Sequence, residues 1–335
     1  MILIFTNKED VHPTPVIECL QKRGVPVFRF NTEALLTDYQ FHWWNNDNGC
    51  GFKLTNINNG LNIDNTTLTA VWDRRPESPK ELPVESSEEI NDYNKNEAYG
   101  FLRFLRFYLN RVPSVGSIVY DNMAESKMLQ LDVARQIGFT IPSTCFSNKK
   151  QDILNFALKY EYIALKIIES DSIFNIKDNT QYVFYTQKVR SNSLKDIPDE
   201  AFSQTVSFVQ EYIPKAFELR VTVVGNKILA CKIDSQQQND ETGKIDWRQG
   251  YDYGLHHEIY QLPKIISDYC LKYLKMMRLN FGCFDFIVKP NGDIVFVECN
   301  PNGQWLWIEV ATGLKISEAI ADALQHPESL HLYNH

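Results

Sequence analysis

The strongest constraint on the fold is a β-hairpin pattern between Gly282 and Asn300. The segment GCFDFIVKPNGDIVFVECN places Asn291-Gly292 between two apolar runs. Asn-Gly in that setting is the strongest short-range signal of a hairpin with a two-residue type I′ turn. Counting outward from the turn pairs Pro290 with Asp293, Ile287 with Phe296, Asp285 with Glu298, and Cys283 with Asn300.

Two carboxylates meet on one face of this predicted hairpin. Because side chains alternate across a strand, Asp285, Glu298 and Asn300 share one face. Directly opposed residues have Cβ atoms about 4.5–5.5 Å apart, and like charges so placed repel. The pair therefore needs a cation between the carboxylates or a shared proton. The other face is apolar and is predicted to be core; it carries Phe284, Phe286, Val288, Val295 and Val297.

The donor set on the polar face indicates a hard cation. Asp, Glu and Asn oxygens suit Mg²⁺, and the sequence lacks the His or Cys spacing of a zinc site. The alternative is a solvated acidic pair at an exposed sheet edge. The aromatic core face favours the metal site, as does the direct continuation of the strand into NPNGQWLW. Trp305 and Trp307 in that segment fit core anchors or peptide contacts.

Composition excludes several classes of protein. The 335 residues carry a net charge of -8, so no basic face for nucleic acid is indicated. The seven cysteines are scattered and lack CxxC spacing, which favours reduced thiols in a cytoplasmic protein. The apolar start MILIF is too short for a signal peptide or a membrane span, and no other stretch is long enough. We therefore expect no membrane partner and a buried first strand.

The chain pattern predicts an α/β protein in three parts. A strand at 2–5, a helix at 14–23 and a strand at 25–30 form a parallel β-α-β start, without the GxGxxG of a dinucleotide site. The predicted domains are an N-terminal α/β domain at 1–120, a central lobe at 121–205 and a C-terminal lobe at 206–335. The remaining predicted elements are a β-meander over 39–73, strands at 162–168 and 182–189, a β-rich pair over 217–235, and helices at 88–110, 264–278 and 315–325. A further helix is capped by Asp121 or Asn122 and ended by Gly138.

Several segments resemble one superfamily. FDFIV…DIVFVECNPNGQ resembles the metal-binding hairpin of ATP-grasp enzymes, and QWLWIE resembles the branch that matures ribosomal peptides into graspetides, such as microviridin-type macrocycles. VWDRRPESP (71–79) and ESKMLQLDVARQIGFTIPST (125–144) agree in the expected order. The resemblance covers essentially the whole chain. It implies an ATP-grasp fold of α+β lobes behind a Rossmann-like pre-ATP-grasp domain.

The resemblance also implies a nucleotide site. ATP would lie between two lobes with two Mg²⁺ ions held by Asp285, Glu298 and Asn300, and Glu298 would bridge them. Lys166 lies inside the apolar run YIALKII, where a lysine needs an anion, whereas Lys127 alone would fit a surface lysine. No glycine-rich lid follows Lys166, so the phosphate lid is built otherwise. The implied cofactor contacts are Lys127 and Lys166 to phosphates, the backbone of Glu211 and Ile213 to adenine, packing by Tyr212, and Glu218 to ribose.

The implied reaction joins side chains of a precursor peptide. A Glu or Asp carboxylate is activated as an acyl phosphate and is then attacked by a Thr or Ser hydroxyl or a Lys amine. Arg220 would neutralise the transferred phosphoryl group, although Glu218 and Arg220 also fit an ordinary ion pair. Arg248, Lys232 and Asp234 are candidates to guide the peptide, as is the Arg74-Arg75 pair. Esters are favoured over amides by the general resemblance.

Partners and alternatives follow from the same resemblance. A precursor peptide with a leader and a core is expected, as is a homodimer, although no residue pattern shows the leader site or the dimer. One alternative is a RimK-like carboxylate-amine ligase that adds amino acids to a protein or small molecule. Another is a binding module that uses nucleotide only as a switch; the intact set of candidate ligands argues against it.

Overall fold

The structure, a computed structural model, describes residues 1–47, 49–169, 172–175, 179–237, 241–249 and 255–330. Its strands form a parallel N-terminal sheet with a small antiparallel one beside it, a central antiparallel sheet with a separate hairpin, and a five-stranded C-terminal sheet. This mixed architecture confirms the predicted α/β fold class. Within the described ranges no helix has the length and apolar character needed to cross a membrane.

The N-terminal unit is built on a parallel sheet in the order β2-β1-β6-β7. The predicted β-α-β start is confirmed. The meander prediction is wrong at its last strand, because β6 pairs in parallel with β1 instead of with β5. All four residues of β6 are buried, as expected in a sheet covered on both faces. The elements are β1 Ile2–Thr6, α1 Pro13–Lys22, β2 Val27–Asn31, α2 Leu35–Asp38, β3 Tyr39–Asn46, β4 Gly49–Asn56, β5 Asn62–Asp64, β6 Ala70–Asp73, α3 Glu88–Leu109 and β7 Ser114–Val115.

The central sheet is antiparallel, in the order β12-β9-β13-β8. The strand predicted over 182–189 is two strands, since one part pairs with β10 and the other with β9. The elements from the N-terminal unit to this sheet are α4 Ile118–Ala124, α5 Lys127–Ile137, β8 Thr144–Ser147, α6 Lys150–Ala157, β9 Tyr162–Lys166, β10 Ser172–Asn175, β11 Thr180–Val183, β12 Gln187–Arg190, α7 Asp199–Ser203 and β13 Ser207–Glu211. The boundary predicted at 205 therefore precedes the last strand of this sheet, and the three-domain division stays a prediction.

The C-terminal sheet has the order β16-β15-β14-β17-β18. One face packs on α5 and α9 through a cluster that includes Leu131, Leu219 and Phe284. The other face shares a core with the N-terminal sheet, and Ile4 of β1, Ile320 and Trp305 are all fully buried in that core. The elements are β14 Phe217–Val224, β15 Lys227–Ile233, α8 Glu241–Ile245, β16 His257–Ile259, α9 Lys264–Met277, β17 Phe281–Val288, β18 Ile294–Asn300, α10 Leu306–Thr312 and α11 Ile316–Gln325.

The helix start predicted at Asp121 or Asn122 is wrong. Ser126 is the N-cap of α5, and its hydroxyl accepts the Leu129 amide at 3.4 Å. Asp121 lies inside α4, where its carboxylate accepts the Ser117 amide at 3.0 Å. The predicted end at Gly138 is confirmed, because its φ of 114° is a left-handed value suited to glycine.

The hairpin has a different turn from the one predicted, yet the acidic pair is opposed. The Lys289 amide donates to Asp293 O and the Gly292 amide to Lys289 O, so the loop spans three residues instead of two. A register shift after Asp285 in the β17–β18 ladder then restores the pairing. Asp285 opposes Glu298 and Cys283 opposes Asn300 as predicted, whereas Phe296 opposes Phe286 instead of Ile287. Phe296 therefore joins the apolar cluster of Phe284 and Phe286, whereas Val295 is also buried but lies outside that cluster.

Candidate active site

Three charged residues lie in register across neighbouring strands of the C-terminal sheet. Arg220 on β14 pairs with Asp285 on β17, which pairs with Glu298 on β18. Arg220 Nη1 lies 2.6 Å from Asp285 Oδ2, and Lys127 Nζ lies 2.6 Å from Glu298 Oε2. Each carboxylate thus contacts its own cation, and no shared proton is needed.

The two carboxylates differ in electrostatic environment. Burial opposes ionisation of Glu298, but Lys127 and Lys166 outweigh it and lower its pKa to about 2. Burial, with the charge of Glu298, raises the pKa of Asp285 against the opposing effect of Arg220. Glu298 is therefore the firmly ionised member of the pair.

Lys166 reaches this cluster from the central sheet. It ends β9, is half-buried, and its Nζ lies 5.6 Å from the ring centroid of Phe208. Burial lowers its pKa, and the charge of Glu298 opposes that shift. Lys127 and Lys166, which were predicted together from sequence, therefore converge on Glu298 from two different elements.

The oxygens on this face fit a hard divalent cation. Asp285 and Glu298 are opposed, and Asn300 lies on the same face, where its Oδ1 accepts the Asn302 amide at 3.0 Å. Within the described ranges, no group of three or more His, Cys, Asp or Glu side chains is arranged so that it could hold a metal ion. Two carboxylates and one amide oxygen, completed by phosphate oxygens or water, match the preferences of Mg²⁺. The metal assignment remains a prediction.

The segment predicted to bind adenine links the central and C-terminal sheets. The Glu211 amide donates to Ser143 O at 3.0 Å, and its carboxylate accepts the Ser143 amide at 3.1 Å. The Tyr212 ring lies on one side of Lys188, 4.4 Å from its Nζ, and the ring of Tyr162 lies at the same distance. The Glu211 amide is therefore occupied, and the contact of this segment with adenine stays a prediction. Ile213, in the same segment, is buried.

Glu218 does not form the ion pair with Arg220 that sequence allowed. Lys215 Nζ lies 2.5 Å from Glu218 Oε1, and the Ser235 hydroxyl donates to the other carboxylate oxygen. Burial raises the pKa of Glu218, and Lys215 opposes that shift. Lys215 was missed from sequence, where a lysine three residues before a strand glutamate gave no distinct signal.

Arg248 is held by Asp246 and interacts electrostatically with Glu298 and Asp285. Its Nε and Nη2 donate to the two Asp246 oxygens at 2.8 and 2.6 Å. The same carboxylate accepts the Thr186 amide at 3.3 Å and so contacts the segment between β11 and β12. The Asp246 carboxylate raises the pKa of Arg248, and the charges of Glu298 and Asp285 act in the same direction. Asp246 was not predicted, although it stands two residues from Arg248.

Lys232 and Asp234 are not brought to this cluster. Lys232 pairs with Leu219, whose face is opposite to that of Arg220. Its Nζ contacts Asp234 at 3.0 Å and Glu258 at 2.7 Å. The prediction that both residues guide the peptide therefore has no support from their placement. Arg74, predicted on the approach, is also buried instead of accessible.

Gln130 is a site-supporting residue that sequence analysis missed. Its side chain accepts a hydrogen bond from the Cys299 amide at 2.9 Å and donates one to Cys299 O at 2.9 Å. It thus satisfies both main-chain groups of Cys299 in the way that a neighbouring strand would. It also donates to Ala124 O at 2.6 Å. The signal was present, because Gln130 shares the buried face of α5 with Val133, Ala134 and Ile137 at helical spacing.

We expect Gln130→Leu to lower the free energy of unfolding by about 3 kcal/mol, because it leaves buried groups of Cys299 and Ala124 without partners. Urea denaturation measures this loss. The matched control is Gln136→Leu on the same helix, since Gln136 is exposed and bonds only Asp132 among the described residues. It should change stability by less than about 0.5 kcal/mol. Equal losses in both variants would contradict the supporting role.

Comparisons with known proteins identify the family to which the chain is similar. A family model described as a RimK-like ATP-grasp domain matches residues 124–324, and one described as an MvdD pre-ATP grasp domain matches residues 1–118. An uncharacterized protein of Mycoplasma genitalium, MG012, is 30% identical over 100 residues, which are 29% of this chain and 32% of that protein. The match thus spans about a third of that curated relative.

Solved structures match over nearly the whole chain. Macrocyclase MdnC of Microcystis aeruginosa MRC, bound with precursor peptide MdnA, is 29% identical with a TM-score of 0.82, covering 97% of this chain and 99% of its own. A RiPP-associated ATP-grasp ligase of Chryseobacterium gregarium, in complex with ADP and a leader and core peptide, is 26% identical with a TM-score of 0.88, covering 99% of both chains. Macrocyclase MdnB of Microcystis aeruginosa MRC is 25% identical with a TM-score of 0.76, covering 97% of this chain and 99% of its own.

The sheet architecture, the carboxylate hairpin and these matches define an ATP-grasp ligase. The chain belongs to the RimK-like ATP-grasp family, whose model covers more than half of its residues. The resemblance to ATP-grasp enzymes that mature ribosomal peptides is confirmed.

Proposed function

We propose that this ligase macrocyclises a ribosomally made precursor peptide at the expense of ATP. The observation that supports this most directly is the full-length similarity to two macrocyclases, one of them bound with its precursor peptide. The cluster of Arg220, Asp285 and Glu298 supplies the charges that such a reaction requires.

The first step is activation of a peptide carboxylate. A Glu or Asp side-chain oxygen attacks the γ-phosphorus of ATP, ADP leaves, and an acyl phosphate forms. Mg²⁺, when bound, neutralises charge on the phosphates. Arg220 stabilises charge on the transferred phosphoryl group, since a planar guanidinium matches its oxygens.

The second step closes the ring. A Thr or Ser hydroxyl, or a Lys amine, of the same peptide attacks the acyl carbon, phosphate leaves, and the nucleophile loses its proton. The enzyme needs no covalent nucleophile of its own, so positioning and charge neutralisation are its contribution. The seven cysteines, all free thiols, have no part in this scheme.

We propose an exchange of cations when the nucleotide binds. Lys127 is paired with Glu298 at 2.6 Å. A metal ion on Glu298 would replace that partner and leave Lys127 for a phosphate oxygen. Lys166 already faces the same charge and would keep its place. Arg248, about half exposed, is the cation of the cluster best placed to meet a peptide carboxylate.

A ligase that adds free amino acids is the second candidate, and the RimK-like description of the matched family favours it. Mass spectrometry of a neighbouring-gene peptide incubated with enzyme, ATP and Mg²⁺ separates the two. We expect the peptide to lose the mass of one water per ring, with ADP released only in its presence. A gain of one residue mass would overturn macrocyclisation in favour of ligation, and nucleotide binding without turnover would overturn both.

Finer features of this proposal stay predictions. They are the two-ion count, ester linkage in preference to amide, a core with Glu or Asp plus Thr, Ser or Lys, a leader bound outside the cleft, a homodimer and a cytoplasmic location. The ligand set Asp285, Glu298 and Asn300 belongs with them.

A further inference from the structure

The loop between β18 and α10 lies directly against the site. Gly303 packs so tightly there that an added Cβ would lie 2.5 Å from Cys283 Cβ and 2.9 Å from Arg220 Nη2. The next residue but one, Trp305, is fully buried in the core shared by the N-terminal and C-terminal sheets, with its ring 5.1 Å from that of His12. Pro301, Gly303 and Trp305 are therefore buried between the N-terminal unit and the catalytic face, whereas Gln304 is exposed.

One side chain of the N-terminal unit bonds this loop at three points. Arg74 follows β6 and is only 1% exposed. Its Nη1 donates to Asn302 O at 2.8 Å, to Asn302 Oδ1 at 2.7 Å and to Gly303 O at 3.3 Å. Asp10 Oδ2, 3.4 Å from Arg74 Nε, balances the buried charge. A buried guanidinium is costly to desolvate unless it is paired and hydrogen-bonded, and Asp10 and the loop supply those partners for Arg74.

The same loop is hydrogen-bonded to two predicted site residues, Arg220 and Asn300. Gln304 O accepts from Arg220 Nη2 at 3.0 Å, so it fixes the guanidinium edge that does not meet Asp285. The Asn302 amide donates to Asn300 Oδ1 at 3.0 Å. Movement of Asn302 or Gly303 would therefore displace Arg220 and Asn300 together.

We propose that Arg74 is a positioning residue of the active site, through which the N-terminal unit fixes the loop Asn302–Gln304 and, by way of it, Arg220 and Asn300. The part of this that concerns catalysis rests on the roles proposed above for those two residues. Apolar contacts of the shared core hold the two sheets together, but they are not directional. The Arg74 hydrogen bonds are directional and set where the loop stands.

The test compares two arginines that join the same two parts of the chain. Arg74→Gln removes the buried contacts. Arg23→Gln is the matched control, because Arg23 meets Asp322 of α11 at 2.6 Å at the surface and does not contact the loop. The first readout is hydrogen exchange of the segment 301–305, which needs no substrate. We expect exchange about tenfold faster or more in Arg74→Gln, and unchanged in Arg23→Gln, because only the first frees the loop.

The second readout is steady-state kinetics with a peptide substrate. In Arg74→Gln we expect kcat to fall about 100-fold with KM for the peptide changed less than threefold, since misplacement by about 1 Å costs rate of this order. Arg74→Lys should recover part of the loss, because it keeps the charge and one donor. If Arg74 had a purely structural role, Arg74→Gln and Arg23→Gln would both lower thermal stability, and kcat of the folded enzyme would stay unchanged in both.

Asn302→Ala is a second variant in case Arg74→Gln does not fold. It removes only the side-chain acceptor Asn302 Oδ1 and leaves the buried Asp10 carboxylate paired with Arg74. It should lower kcat about tenfold, and the double variant should be no slower than Arg74→Gln alone. Unchanged exchange of 301–305 in both Arg74→Gln and Asn302→Ala would overturn the proposal. If the wild-type enzyme modifies no peptide, the proposed function fails, and hydrogen exchange still decides the positioning role.

Discussion

Glu298→Gln is expected to lower ATP-dependent peptide modification about 1,000-fold or more while leaving the fold intact. The carboxylate is ionised, opposes Asp285 and faces Lys127 and Lys166. Glutamine keeps its shape but removes the charge that would hold a metal ion and balance two lysines. Loss of one such preorganised electrostatic contact costs about 100- to 1,000-fold, and loss of the metal ion costs more. Peptide mass and ADP release, measured at saturating ATP, report the effect.

The matched control for Glu298→Gln is Asp293→Asn on the same hairpin. Asp293 is exposed near the turn and pairs with Lys289 at 2.8 Å. The Asp293→Asn variant therefore also loses an ion pair, but at the far end of the strands from the site. Its activity should stay within about twofold of wild type, because exposed pairs contribute little. Circular dichroism should show both variants folded. Wild-type activity in a folded Glu298→Gln would refute the metal assignment.

Arg220→Ala is expected to slow carboxylate activation about 100- to 1,000-fold while peptide affinity changes less than threefold. Arg220 is 7% exposed, its guanidinium contacts Asp285 at 2.6 Å, and it lies on the catalytic face, not on an outer surface that a peptide would meet first. Single-turnover ADP formation measures activation, and fluorescence anisotropy of labelled peptide measures binding. Normal turnover with weakened peptide affinity would contradict the assigned role.

Folding of the Arg220 variants needs its own control. Removal of the arginine leaves the partly buried Asp285, whose side chain is 19% exposed, without its partner, which destabilises by about 3 kcal/mol at most. Arg220→Lys keeps the charge but cannot hold both Asp285 and Gln304 O with one planar group, so it should fold better and still lose most of the activation rate. Arg190→Ala removes an exposed arginine, 3.8 Å from Glu161 on the central sheet, and should behave as wild type.

The opposed acidic pair could be predicted because alternation and an Asn-Gly turn are local signals. The turn length and the register shift could not. Phe296 donates its amide to Thr140 O, and Gln130 bonds Cys299, so the outer edge of β18 is set by segments more than 150 residues away in the chain. The three-residue loop and the register shift offset each other, which left the predicted pairing of Asp285 with Glu298 correct.

Other differences trace to tertiary contacts or to signals that were present but not used. The segment after β18 becomes α10, with Trp305 buried at its start, because the shared core between two sheets favours helical packing there. The position of Lys232 could have been predicted from the sequence. The turn after Val224 pairs Val224 with Lys227, and counting outward from that pair places Lys232 opposite Leu219. The register of the second hairpin, once counted, excludes it from the catalytic face.

The place of Arg74 bears on how such ligases diverge and are recombined. One family model ends at residue 118 and the other begins at residue 124, which suggests that the first domain could be exchanged between ligases as a unit. However, the hydrogen bonds from Arg74 to Asn302 and Gly303 join the two domains across that boundary. A hybrid spliced at this boundary would form the same contacts only if its first part supplied Arg74 and its second part a loop that places the Asn302 and Gly303 carbonyls and the Asn302 side chain within reach.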